Sequence, residues 1–174
     1  MKLPHHIKEE AIGLPIPESA TSEPVRVLLI DDDDDEATLT RSLLARIQDI
    51  QYEVDWVSTF REGLAAIARE EHDAYLIDQN LGGLTGVELV QAARKAGSLA
   101  ALIMLTGQRD RVTDMAAMEA GATDFLLKGQ TDAALLDRTL RYAITQASIV
   151  SGLDRSRNQL AGLVRISGSS SPRD

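Results

Sequence analysis

From residue 25 onward, short and almost wholly apolar runs alternate with stretches of helical periodicity. The first run is Val25–Ile30, and residues 36–47 follow it with Leu39, Leu43, Leu44 and Ile47 at the spacing of one helix face. Tyr52–Val57 and residues 59–69 form a second strand and helix. A third strand over residues 74–77 ends at Asp78. It opens into a loop, residues 79–86, that carries three glycines, and then into a helix over 87–96 stopped by Gly97. Residues 101–105 make a fully apolar fourth strand, residues 112–120 a helix stopped by Gly121, and Asp124–Leu127 a fifth strand. A last helix opens near Thr131 and Asp132.

Strands that are apolar on both faces need cover on both faces, and right-handed crossovers place helices there. The expected fold is α/β: a doubly wound five-stranded parallel sheet, flavodoxin-like (βα)5, with strand order 2-1-3-4-5. In such a sheet ligands bind beyond the carboxyl ends of the strands, where the order reverses between strands one and three.

Polar residues at those ends are the candidates. Five consecutive aspartates occupy positions 31–35. Alone, such a run is equally a solvated loop or the first turn of a helix, where carboxylates favour the positive end of the macrodipole. Asp31 and Asp32 follow strand one, Asp78 strand three, Thr106 strand four and Lys128 strand five, whereas strand two contributes none. With strands one and three adjacent, Asp31, Asp32 and Asp78 converge. Three close carboxylates repel unless a hard cation neutralises them, and Mg²⁺ suits oxygen ligands. A lysine beside them can pair with a carboxylate or with phosphoryl oxygens, and a hydroxyl can donate to another such oxygen. Together these groups describe an aspartate that accepts a phosphoryl group, a transfer that needs positioning and charge neutralisation more than a strong base. Taken singly, Thr106 reads equally as a helix cap, Lys128 as a surface charge, Phe125 as core and Asn80 as a turn residue. Asp78 does not, because a carboxylate ending an apolar strand is costly unless paired.

Four segments in order, VLLIDDDDDEATLTRSLL, DAYLIDQNLGGLTG, ALIMLTG and GATDFLLKG, closely resemble the receiver domains of bacterial two-component response regulators. The resemblance covers about residues 25–148. It implies that Asp78 is the phosphoacceptor and Asp32 a direct Mg²⁺ ligand. Asp31 would act through metal-bound water, and the backbone carbonyl of Asn80 would be a further ligand. Thr106 and Lys128 would bind phosphoryl oxygens. Phe125 matches the aromatic switch position that follows Thr106 inward, so that the face of helix four, strand five and helix five changes for a partner. The implied phosphodonor is a histidine kinase or phosphotransfer protein. Two positions depart from the family pattern: Gly82 stands where proline is common, and Gly129 replaces a cis proline after the lysine, so a trans Lys128–Gly129 bond is expected.

Composition narrows the remainder. With 27 acidic and 18 basic residues, the net charge of −9 disfavours a nucleic-acid partner. The chain has no cysteine, which excludes disulfides and thiolate metal sites and leaves a reducing, cytoplasmic location uncontradicted. No apolar run is long enough for a membrane span or a signal peptide. Residues 1–24 hold four of the five prolines and read as an N-terminal arm; residues 149–174 read as a helical extension and disordered tail, with no output domain expected. Apolar residues across 135–164, among them Leu136, Leu140, Val150, Leu153, Leu160 and Val164, lie at roughly helical spacing interrupted by Gly152 and Gly162. They suit either a prolonged fifth helix that pairs two copies or an ordinary last helix with a frayed end. The segment KGQTDAALLDRTLRYAI is similar to receivers that lead through a long helix into further modules. Two other functions compete. One is a receiver fold used as a constitutive dimer or scaffold. The other is a Mg²⁺-dependent aspartyl phosphatase, for which Asp31, Asp33 and Asp35 offer carboxylates but Ala37 breaks the pattern.

Overall fold

A computed structural model of the chain describes residues 23–107 and 111–167. The N-terminal arm up to residue 22 and the tail beyond 167 lie outside the described residues. Five strands, β1 (Val25–Ile30), β2 (Tyr52–Val57), β3 (Ala74–Asp78), β6 (Ala101–Thr106) and β7 (Asp124–Leu127), pair in parallel in the order β2-β1-β3-β6-β7. The intervening β4 (Asn80–Leu81) and β5 (Leu84–Thr85) pair only with each other, antiparallel. Counted without them, the sheet has the expected 2-1-3-4-5 order. The loop expected over 79–86 is therefore a small hairpin. Gly82 at φ +59° and Gly83 at φ +99° form its turn, where both central residues need positive φ.

Alternate residues of each central strand enter opposite cores, as a two-residue period requires. Leu28, Ile30, Tyr75, Ile77, Leu102 and Met104 face one side of the sheet. That side is covered by α2 (Phe60–Arg69), α3 (Gly86–Lys95) and α4 (Arg111–Glu119), which contribute Ile67, Leu89, Val90 and Ala117. Val27, Leu29, Leu76, Ile103 and Leu105 face the other side, against Ala37 and Leu44 of α1 (Asp34–Ala45) and Leu136, Leu140 and Ala143 of α5 (Ala133–Ser167). Strand β2 is an edge, and its exposed Glu53 and Asp55 discourage further strand pairing.

Helix starts follow local chemistry. Helix α1 begins at Asp34, two residues before the expected 36, because the Asp33 side chain accepts from the backbone N–H groups of Asp35 and Glu36. Asp34 and Asp35 then occupy the first turn, so this part of the acidic run does what helix-start carboxylates ordinarily do. Leu39, expected on the buried face, is exposed, because α1 buries Ala37 and Leu44 instead. Helix α3 opens with a reciprocal capping box between Thr85 and Glu88. Helix α5 opens with Asp132 Oδ1 accepting from Leu135 N at 2.7 Å and continues unbroken for 35 residues, about 50 Å of helix. Residues 135–164 lie within this one prolonged helix, without the frayed end of the alternative reading. The Lys128–Gly129 bond is trans, with Gly129 at φ +76°.

Candidate functional site

In the β1–β3 register Ile30 lies opposite Ile77, so the next residues, Asp31 and Asp78, emerge side by side at the carboxyl edge. Thr106 ends β6, and Lys128 follows β7, anchored by its backbone N–H donating to the Thr106 carbonyl at 2.8 Å. The Lys128 ammonium stands 2.6 Å from Asp78 Oδ1 and 3.0 Å from Asp31 Oδ2, and it also pairs with Glu36 Oε2. The remaining carboxylate oxygens are held by backbone: Asp31 Oδ1 accepts from Asp33 N at 3.0 Å and Asp78 Oδ2 from Asn80 N at 3.0 Å. Asp31 is wholly buried and Asp78 nearly so.

The carboxylates of Asp31, Glu36 and Asp78 each offer an oxygen within 4.8 Å of the others. One ammonium against three carboxylates leaves the cluster short of positive charge, and its donors are all oxygen. That combination fits a hard divalent cation with room for water ligands. Thr106 is also fully buried, and its Oγ1 has no hydrogen-bond partner. A hydroxyl kept dry and unpaired at a strand end is costly unless a ligand uses it.

Electrostatics divide the pair at the centre. Loss of hydration raises the Asp31 carboxyl above its ordinary value, against the opposing pull of the Asp33 N–H and Lys128. Burial works against the Lys128 charge too, but hydrogen bonds to Asp78, Glu36 and Asp31 outweigh it and hold the ammonium well above the usual lysine range. The difference is one of partners: Lys128 gathers three anions, whereas Asp31 gains one cation and the repulsion of Asp78.

Among the expected residues, then, Asp31, Asp78 and Lys128 meet directly, with Thr106 on the adjoining strand. Asp32 stands aside. Its exposed carboxylate accepts from Gly82 N at 2.9 Å and pins the β4–β5 hairpin to the start of α1. Asn80 begins that hairpin, and its N–H is engaged by Asp78. Phe125 is half-buried in β7, opposite Met104, and packs on the core beneath α2–α4. Two contributors escaped the sequence reading. Glu36 reads there only as part of a helix, and strand two was expected to supply nothing, yet the Trp56 indole N–H of β2 donates to the Asp31 carbonyl at 2.9 Å.

A parallel sheet with a buried aspartate–lysine pair at its carboxyl edge is the arrangement that the receiver resemblance implies. Residues 27–140 match the response regulator receiver domain family, and the chain belongs to it. The response regulator MprA of Mycolicibacterium vanbaalenii is 34% identical over 106 residues, which cover 60% of this chain and 44% of that protein. The chain spans about half, or less, of the length of the curated relatives it matches. Among solved structures, a response regulator receiver domain protein from Clostridium thermocellum superposes with TM-score 0.63 at 26% identity, over 72% of this chain and 98% of that one. The receiver domain of the sensor histidine kinase PA1611 from Pseudomonas aeruginosa shares the fold at 24% identity, with TM-score 0.61 over 70% of this chain and 98% of its own. That structure holds a magnesium ion coordinated in its active-site cleft.

Proposed function

We propose that Asp78 accepts a phosphoryl group from a histidine kinase or phosphotransfer protein and that the modification changes the α4–β7–α5 face. The observation that carries this reading is the Asp78 carboxylate, nearly buried at the end of β3, with the Lys128 ammonium 2.6 Å away and the unpartnered Thr106 hydroxyl on the next strand. Asp78 attacks phosphorus through a carboxylate oxygen, while Lys128 and Thr106 meet the phosphoryl oxygens as charge moves onto them. Asp31, Asp78 and Glu36, with Asp32 and the Asn80 carbonyl as the further ligands the family pattern implies, would hold Mg²⁺, which would supply the positive charge the cluster lacks. A groove lined by Leu39, Leu43, Gly129 and Leu136 opens beside Lys128.

Output runs through Thr106 and Phe125. The phosphoryl group carries nearly two negative charges where the Asp78 carboxylate carried one; it draws the Thr106 hydroxyl toward it, and Phe125, one strand over, repacks behind it. Met115, Met118 and Tyr142 are exposed on α4 and α5, and Ile149, Val150, Leu153 and Leu160 continue along α5; these are contacts for a partner or a second copy. The same exposed stripe supports a second reading, a constitutive homodimer in which the site is idle, because it does not depend on the site.

Trp56 makes the two separable, since its indole touches the Asp31 backbone. Mg²⁺ would be titrated with and without beryllium fluoride into wild type and Asp78→Asn, following Trp56 fluorescence and mass in solution. A beryllium fluoride response that depends on Mg²⁺ and disappears in Asp78→Asn is expected. A dimer of constant mass with no response in either protein would favour the idle scaffold.

A further inference from the structure

Lysine has three N–H donors, and Lys128 commits them to three different carboxylates, those of Asp31, Asp78 and Glu36. A phosphoryl group on Asp78 therefore cannot gain Lys128 unless one of those contacts yields. Asp31 is wholly buried, with its other oxygen held by Asp33 N, so releasing it would strand a charge out of water. The Asp78 carboxylate gives up its own charge in the transfer, which leaves Glu36 as the anion that still competes for the lysine and can let go. The Glu36 side chain is 47% exposed and sits in the first turn of α1, from which it can turn into water at little cost. Glu36 comes from a different element, 92 positions from Lys128, and its charge adds to those of Asp31 and Asp78 where an anionic donor must arrive.

Resting on the reading of Asp78 as phosphoacceptor, we propose that Glu36 is a positioning residue for the transfer, a tether that holds the Lys128 ammonium until a phosphoryl group displaces it. With acetyl phosphate as donor, an Asp78 carboxylate oxygen forms a bond to phosphorus as the bond from phosphorus to the acetyl oxygen breaks. The electron pair leaves with acetate, and no proton moves. One Lys128 N–H then passes from Glu36 to a phosphoryl oxygen, and Glu36 turns to solvent. The tether thus sets a threshold: it keeps the lysine in place in the resting site and makes the first phosphoryl contact slower.

The test measures two quantities in wild type, Glu36→Gln and Glu36→Asp: the rate of Asp78 modification by acetyl phosphate at saturating Mg²⁺, and Mg²⁺ affinity from Trp56 fluorescence. Glu36→Gln is expected to be modified roughly two- to fivefold faster, the size of a half-exposed ion pair, while binding Mg²⁺ more weakly because a nearby negative charge is gone. Glu36→Asp keeps the charge but is one methylene short of Lys128, so it should share the faster rate and keep Mg²⁺ affinity near wild type. A purely structural defect would lower rate and affinity together. If wild type is modified at Asp78 and Glu36→Gln is equal or slower, the tether is overturned while the phosphoacceptor reading stands. If neither protein is modified at Asp78, both fall.

Discussion

Asp31 bears a desolvation cost in the site. It is fully buried, and loss of hydration raises its pKa despite Lys128. A raised folded-state pKa means that the folded chain binds this proton more tightly than the unfolded chain. Stability from the group is therefore full below about 4, its ordinary value, and is lost as pH rises through the raised one. Asp31→Asn should accordingly stabilise the metal-free protein at pH 7 by roughly 0.5–2 kcal/mol, the usual gain when a functional site is relaxed. Urea denaturation in chelator should find the gap small near pH 4 and widening toward neutrality, with Mg²⁺ closing it. An asparagine variant no more stable than wild type at pH 7 would contradict this. Lys128 follows the same sign in a higher window: its raised pKa keeps its contribution intact through neutral pH and loses it only above the ordinary lysine range. Asp31, Asp78, Thr106 and Lys128 were legible because each directly follows or ends an apolar strand. Glu36 was not, since a glutamate in a helix's first turn is commonplace and its partner lies far along the chain. The bond between Asp32 and Gly82 N was not legible either, because adjacency to Asp31 does not fix which way the next side chain turns.

At the scale of elements, α3 approaches the phosphoacceptor strand more closely than any side chain would allow. A Cβ on Gly86 would collide with the Asp78 carbonyl oxygen and meet Met104 Cε at 2.9 Å and Ile77 Cγ2 at 3.0 Å. Gly86→Ala should therefore cost roughly 1–3 kcal/mol, as overpacking does. Because the colliding atom is backbone of Asp78 itself, it should also slow modification of that residue. Unfolding by denaturant together with the acetyl phosphate rate would check both, and an alanine variant of wild-type stability and rate would refute the packing argument. Element order, parallel pairing and helix stops at Gly97 and Gly121 followed from periodicity and glycine punctuation. The β4–β5 hairpin did not, since three glycines in eight residues look like a loose loop. What organises it is the long-range bond from Gly82 N to Asp32. The length of α5 was open for a related reason: Gly152 weakens a helix by about 1 kcal/mol, which is not enough to end one.

Over the whole molecule, the family match ends at residue 140 while α5 continues to Ser167. No helix among the described residues is long and apolar enough to cross a membrane. Ile149, Val150, Leu153 and Leu160 therefore present apolar surface on a polar helix beyond the domain's own core. If this stripe pairs two copies, Leu153→Glu should convert a dimer to a monomer in sedimentation at micromolar concentration while leaving Asp78 modification unchanged. A dimer that survives this change would move the interface elsewhere. The phosphoacceptor assignment underlies all of this, and the most direct measurement locates the modification itself. Wild type treated with acetyl phosphate and Mg²⁺ would be trapped with borohydride and mapped by peptide mass spectrometry. The label should lie on Asp78 and be absent in chelator and in Asp78→Asn. A label on another residue, or one that persists in Asp78→Asn, would contradict it.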